Sequence, residues 1–353
     1  MSEKNIYYDN SRILSYKEFY KITVGTRGRG KTTKWILTAL KKFLKDESQF
    51  IYVRRYKTEH RNIKKFWDNL IKINQDNIKN NKKPIFPPNT ELEVIGNWKE
   101  GLGQFKVNNK IAGYWLTLSI ASSYKSTPFP NVNGMIFDEF LIKKGTYHYL
   151  QDEVNDLEDL VETVFRTRDD PNVWGCVLLA NNVSWFNPYF IQWKIPVFNT
   201  KYYRPPNDSI VIELDTDSAF NEVKYSTRFG QHIRNTKYGN YAVENESLIS
   251  ATPFIEELSK NAKLYFNIRY LGSIYGIWID TKENKLYLSN KYDPYCKLEY
   301  ALTTSDHQLN TFYIKNKKST HLSLISEFYQ MGRMFATSNY LDSVLQEILQ
   351  ILL

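Results

Sequence analysis

Cysteine is nearly absent: Cys176 and Cys296 are the only two in 353 residues, and neither has a neighbouring Cys or His at metal-ligand spacing. A disulfide framework and a structural zinc site are therefore disfavoured. No uncharged apolar run approaches the roughly 20 residues of a membrane-spanning helix. The N-terminal MSEKNIYYDN has neither the apolar stretch nor the small-residue cleavage site of a secretory signal, and nothing at the C-terminus reads as a lipidation motif. These absences point to a soluble protein of the cytosol with no membrane partner. The composition is that of an ordinary globular chain, 42% hydrophobic and 24% charged, with a mean hydropathy of -0.50 and room for two or three domains. Aromatic residues are abundant, with 26 Tyr, 20 Phe and 8 Trp, suited to cores and to stacking alike.

Charge is unevenly placed. The formal net charge is +9, yet residues 21 to 83 alone hold 18 Lys+Arg against 5 Asp+Glu, a local +13 that leaves -4 for the rest. Such a concentration suits either a polyanion partner or a solvated lysine-rich face. What the segment contains favours the partner. Lys21-Ile22-Thr23-Val24 reads as a short buried strand and runs into Gly25-Thr26-Arg27-Gly28-Arg29-Gly30-Lys31-Thr32-Thr33, which fits the P-loop pattern G-x-x-x-x-G-K-[ST]. Glycines let successive backbone N–H groups approach phosphate oxygens, Lys31 reaches the β- and γ-phosphates, and the Thr32 hydroxyl ligates Mg²⁺. Trp35, Ile36, Leu37, Ala39, Leu40, Phe43 and Leu44 follow at helical spacing, so a helix N-terminus faces the phosphates.

An ATP site needs an acid at the end of a hydrophobic strand, and Met135-Ile136-Phe137-Asp138-Glu139 supplies one. Asp138 would hold Mg²⁺, and Glu139, one residue on, would orient and deprotonate the attacking water. The adjacent Glu points to the hydrolase branch of P-loop proteins. Further β-rich runs at Gln49–Arg55 and Val173–Asn181 alternate with helical patterns at 58–73 and 150–167, which implies a parallel α/β sheet with ligands outside its carboxyl edge. Asn181 then either senses the γ-phosphate or caps the turn it begins.

Residues 152–165 read as an amphipathic helix with an acidic wet face, closed by Phe165-Arg166-Thr167-Arg168. Arg166 suits either a complement to the helix dipole or an arginine finger inserted into a neighbour's site. Lys125 lies in a polar loop before the acidic strand, and by sequence alone is a surface lysine. Arg54, Arg55 and Lys57 follow a strand, and Arg61, Lys64 and Lys65 continue along the next helix. They are candidates to grip DNA phosphates without reading bases, whereas the interleaved Phe66 and Trp67 suit a core.

Beyond about residue 220 the character changes. Residues 221–252 read as a small connecting region. Lys263–Tyr270, Ile274–Asp280 and Lys285–Leu288 form three β-like runs, an antiparallel meander, before helical patterns at 320–335 and 341–353. Such a meander with flanking helices suits an RNase H-like domain. A two-metal nuclease needs clustered carboxylates, but the first run offers Asn267 and Arg269 where an Asp is required, and Asp280, Asp293 and Asp306 read as surface or turn residues. The domain is expected to be a vestigial nuclease.

The order and wording of these motifs resemble the DNA-packaging ATPases of φ29-like podoviruses. The resemblance runs from Leu14-Ser15-Tyr16 through the loop at Gly25, Phe50–Lys57, Phe129–Val132, Phe137–Phe140, Thr163–Arg166, Asn187–Phe190 and Thr227–Gly230 to Leu302-Thr303-Thr304, with only 83–110 hard to align. It implies an ATP-driven double-stranded DNA translocase that takes Mg²⁺ with ATP. It also implies a homo-oligomer, a pentameric ring on the portal connector of a prohead in the host cytoplasm, with room for a packaging RNA. By the same match Arg166 corresponds to the trans-acting arginine, and Lys125 to a basic residue reaching across the subunit interface. The expected fold is α/β: a P-loop NTPase of ASCE type (additional strand, catalytic glutamate) over 1–220, a linker over 221–252 and the RNase H-like domain over 253–353. Two rivals stay open, a terminase with a live nuclease and a nucleic-acid-binding module whose ATPase is regulatory.

Overall fold

In a computed structural model, residues 7–142, 148–166, 168, 170–181, 185, 187–196, 198–206, 209–234, 236, 254–314 and 320–352 are described. The chain divides into two compact units, one made of Met1–Leu150, Asn155–Val183 and Thr200–Ser247, the other of Gln151–Val154, Ser184–Asn199 and Leu248–Leu353.

The first unit is built on strands β1 (Tyr20–Gly25), β2 (Gln49–Arg54), β3 (Leu92–Asn97), β4 (Leu102–Val107), β5 (Lys110–Thr117), β6 (Val132–Asp138), β7 (Gly175–Asn181), β8 (Tyr202–Tyr203) and β9 (Ile210–Asp215). They form one sheet in the order β3-β4-β5-β2-β6-β7-β1-β9-β8. The six central strands, from β5 to β9 in that order, run parallel. Their interior runs are buried on both faces, as β6 is from Gly134 to Asp138, which is why they read as continuous apolar stretches. The strand carrying the P-loop, β1, is separated from the acid-bearing β6 by a single strand, β7.

Helix α1 (Ser11–Leu14) precedes β1, and α2 (Lys31–Asp46), α3 (Ile63–Lys79) and α4 (Glu153–Phe165) fill the crossovers of this sheet; α5 (Pro188–Gln192) belongs to the second unit, and α6 (Ser218–Ser226) and α7 (Arg228–Ile233) follow β9 in the first. The apolar stripe of α2 (Trp35, Ile36, Ala39, Leu40, Phe43) enters a core with Phe50, Tyr52, Trp67, Phe105 and Trp115. Its aromatic layers are set by Trp35 on Trp174 at 6.0 Å and Trp67 on Phe105 at 4.3 Å. Trp67 is thus core and Phe66 packs partly buried against it, as ordinary burial frequencies lead one to expect, while Arg61, Lys64 and Lys65 of the same segment are exposed. The stretch 83–110, hard to place by sequence, contributes the β3–β4 hairpin, which extends the sheet antiparallel to β5. The end of α6 and the whole of α7 fall within the expected linker 221–252, of which 235 and 237–252 lie outside the described residues.

The second unit carries β10 (Lys263–Tyr270), β11 (Ser273–Asp280), β12 (Lys285–Ser289), β13 (Glu299–Ala301), β14 (Phe312–Tyr313) and β15 (Met334–Ala336), with helices α8 (Thr320–Gln330) and α9 (Asn339–Leu352). The sheet order is β14-β13-β10-β11-β12-β15. The meander β10–β11–β12 is antiparallel as expected, whereas β13, β14 and β15 join in parallel. Leu341, Val344, Leu345, Ile348 and Leu349 of α9 pack with Phe266, Ile268, Ile277 and Leu288 in its core. The helical pattern read at 320–335 ends at Gln330, since Met334–Ala336 pairs with β12.

Candidate active site

β1 ends at Gly25, beside Asp215 of β9. A Cβ there would meet the Asp215 carbonyl oxygen at 2.3 Å, so only glycine lets the two strands close at this point. The loop turns through Gly30, which caps α2 at φ 84°, a left-handed conformation that favours glycine. The α2 N-terminus therefore opens onto the loop. Lys31 is buried, and its ammonium donates to the Gly25 and Thr26 carbonyls at 3.0 and 2.9 Å. Burial lowers its pKa to about 8, against the opposing pull of Asp215 and Asp138. Thr32 Oγ1 donates to Asp138 Oδ1 at 2.9 Å, so the two motifs, 106 residues apart, share one hydrogen bond. Asn181, at the end of β7, stands in register with Gly25.

Asp138 is gripped from a third side. Tyr52 Oη donates to its Oδ2 at 2.8 Å, and Arg54 Nη1 lies 3.2 Å from the same oxygen. Arg54 also pairs with Glu139 at 2.7 Å and Glu59 at 3.0 Å. Burial alone would lower the Arg54 pKa, but Tyr52, Asp138, Glu139 and Glu59 outweigh it and hold the guanidinium firmly charged. Glu139 sits at φ 56°, a left-handed conformation that turns the chain sharply out of β6. Arg55 supports that turn. Its guanidinium, 1% exposed, donates to the Glu139 and Phe140 carbonyls and lies over the Phe137 and Tyr149 rings.

These placements correct one expectation. Arg54 and Arg55 are directed into the nucleotide-motif cluster rather than toward a DNA groove, because β2 lies beside β6 and its last residues come level with Asp138. Of the three basic residues read together as DNA contacts, only Lys57, in a one-turn 3₁₀ helix, is left without such a role. Adjacency in the sheet, readable once the strand order is known, was the signal that sequence inspection missed.

A second buried ion pair went unread. Arg29 of the loop pairs with Asp215 and, at 3.1 Å, with Asp217. Asp217 in turn caps α6 by accepting from the Ala219 and Phe220 amides. Arg27 contributes its carbonyl to the Lys224 ammonium at 3.2 Å. The loop is therefore tied to the chain following β9. Lys125 pairs with Asp159 at 2.8 Å, and Arg166, one residue beyond α4, donates to the Lys125 carbonyl at 3.4 Å; both side chains are exposed.

In the second unit, Asn267 is fully buried and donates to the Asp293 carbonyl at 2.7 Å, while Arg269 pairs with Glu299 at 2.7 Å. Asp280 and Asp306 take the turn alternative: both are buried and cap turns. Asp280 accepts from the Lys282 and Glu283 amides, and Asp306 from those of Leu271 and Gly272. Among the described residues no group of three or more His, Cys, Asp or Glu is placed to hold a metal ion.

A profile of the podovirus DNA encapsidation protein (Gp16) family matches residues 2–350. The chain belongs to this family. Among its relatives, the DNA packaging protein of Bacillus phage B103 is 34% identical over 324 residues, 91% of this chain and 94% of the relative. The DNA packaging protein of Bacillus phage phi29 is 32% identical over 347 residues, 98% of each chain. A chain of the solved bacteriophage Phi-29 viral genome packaging motor assembly superposes with a TM-score of 0.67 at 31% identity, covering 99% of this chain and 100% of that one. The Phi-28 gp11 DNA packaging motor gives a TM-score of 0.68 at 16% identity, covering 99% and 98%, a likeness of fold. The family and the parallel sheet together make the first unit an α/β, P-loop-like fold.

Proposed function

We propose that the chain is an ATP-driven double-stranded DNA translocase that packages a phage genome. The observation that carries this reading is the Thr32–Asp138 hydrogen bond at the mouth of the P-loop, with Glu139 next in sequence. A hydroxyl and a carboxylate brought to 2.9 Å of each other form a pair of hard oxygen donors, the kind that Mg²⁺ takes together with phosphates and water. Bound there, Mg²⁺ would neutralise charge on the β- and γ-phosphate oxygens. The loop from Gly25 to Thr33 would cradle the phosphates, with Lys31 exchanging its two carbonyl contacts for phosphate oxygens. Asn181, at the neighbouring strand end, would contact the γ-phosphate. Glu139 has one carboxylate oxygen taken by Arg54, which leaves the other to accept a proton from the attacking water. One strand between the P-loop strand and the acid strand is the ASCE arrangement and supports hydrolysis.

Arg166 stands at the wrong edge of the sheet to serve its own site. Arg168, two residues on, donates to the Pro130 and Val132 carbonyls where β6 begins, and Asp138 lies at the far end of that strand, about 20 Å away at strand rise. A role in hydrolysis therefore requires a neighbouring subunit, with Lys125 on the same surface. This supports a ring, which we take as pentameric and seated on the prohead portal, with DNA as substrate and a packaging RNA as a candidate component. Mixing Arg166→Ala with Lys31→Ala subunits tests it. Mixed rings should regain ATPase activity that neither variant has alone, and absence of any rescue refutes action in trans.

The second unit is best read as a silent RNase H-like domain. Its support is the meander followed by two strands parallel to the first, with Asn267 in place of an acid and Arg269 occupying Glu299. Linear product from supercoiled plasmid with Mn²⁺ would overturn that reading in favour of a live nuclease.

A further inference from the structure

With Arg54 and Arg55 committed to Asp138 and Glu139, the basic excess of residues 21–83 needs another outlet. A cleft of about 750 Å³ in the first unit is lined by Lys34, Lys41, Lys42, Lys45 and Lys83 together with apolar Leu37; among the described residues no acid lines it. Lys34 is paired with Asp9 at 2.7 Å. The other four lysines form no ion pair with the described residues, although Asp46, held chiefly by its hydrogen bond to Ser48, feels the charges of Lys42 and Lys45 through space. Lys41 and Lys45 are four residues apart on one helix, a spacing at which like charges repel. Favourable interaction with the α2 dipole would explain lysines in its last turn. It explains neither Lys34 in the first half nor Lys83, which arrives from a separate segment.

Lys34, Thr38, Lys41 and Lys45 fall on one stripe of α2, which extends about 16 Å along the helix. That is close to the rise of about five phosphates of one strand of a duplex. We infer that this cleft is a phosphodiester-binding surface that holds the backbone of duplex DNA. Lys41 and Lys45 stand about 15 and 21 Å along α2 from Lys31, so these two contacts are separate from the nucleotide site. The inference rests on the translocase reading for the identity of its ligand, and its location rests on the cleft alone.

The test is binding of a fluorescent 30-base-pair duplex to the full chain from 50 to 200 mM salt, for the wild type and for Lys41→Ala/Lys45→Ala/Lys83→Ala. Loss of three phosphate contacts should make the slope of log affinity against log salt shallower by about 2.7, so that the variant's affinity falls about 40-fold less than the wild type's over that range. Its ATPase rate without DNA should be unchanged. A slope equal to the wild type's overturns the cleft assignment while leaving the translocase reading intact, whereas a wild type that does not bind the duplex at all overturns that reading too. A cleft-dependent preference for an RNA hairpin over the duplex also refutes DNA as its ligand.

Discussion

Arg29→Ala should destabilise the first unit in a pH-dependent way that follows from burial. Arg29 and Asp215 side chains are 6% and 5% exposed, so removing the guanidinium strips a carboxylate in a dry site of its directly paired charge and leaves only the longer-range pull of Lys31 and Lys201; breaking comparable pairs costs about 3–5 kcal/mol. Asp217 is 31% exposed and adds little. Burial already raises the Asp215 pKa above its ordinary 3.8, with Arg29 the largest opposing influence, and the variant's carboxyl rises further. A native pKa above the unfolded one means that stability grows as pH falls between the two values. The carboxyl can always escape by protonation, which bounds the electrostatic deficit at about 4.4 kcal/mol at pH 7 and about 1.6 kcal/mol at pH 5. At about 2–4 °C per kcal/mol for a unit of this size, a deficit of about 3 kcal/mol lowers its thermal transition by about 6–12 °C at pH 7 and by at most about half that at pH 5. Thermal unfolding followed by near-UV circular dichroism at both pH values measures it. Adding Asp215→Asn to Arg29→Ala should recover most of the loss at pH 7. An equal deficit at both pH values, or no recovery in the double variant, would refute the reasoning.

Glu139→Gln should keep binding of a non-hydrolysable ATP analogue while lowering ATP turnover about 10²–10⁴-fold, the usual share of a general base; wild-type turnover would remove Glu139 from the mechanism. Because the Lys31 pKa is lowered to about 8, its positive charge is lost as pH rises through that value. Analogue affinity should therefore weaken by up to tenfold per unit above pH 8, and a flat profile from pH 7 to 9.5 contradicts it. Arg55→Ala frees the Glu139 and Phe140 carbonyls and should lower kcat about tenfold or more with little change in KM. Arg55→Lys should restore part of the rate if the guanidinium acts by holding that turn, and an unchanged kcat in Arg55→Ala would refute a positioning role.

Much of this was legible because local chemistry left little choice. The glycine spacing around Lys31, the apolar run ending in Asp138-Glu139 and the period-two runs from Lys263 to Leu288 each encode their own backbone geometry, and all appear where the pattern put them. The β3–β4 hairpin was not legible, because its outermost strand alternates half-buried and exposed residues from Leu92 to Ile95 and gives a weak periodic signal. For Asp280 and Asp306 the choice between surface and turn stayed open, because turn-capping carboxylates look like solvent-facing ones until the amides they accept from are located.

Sequence alone determined the phosphate loop, the acid pair and the composition of the two halves, since these depend on residues close along the chain. Only the tertiary structure decided what the basic residues do. Arg54 and Arg55 read like Lys41 and Lys45 in a charge count, but placing β2 beside β6 turns the first pair inward onto Asp138 and the Glu139 turn. The outer stripe of α2 instead gathers its lysines with Lys83 around an open cleft. A charge acquires its role from what the fold sets opposite it, because Coulomb attraction and desolvation depend on distances through space and not on separation in sequence.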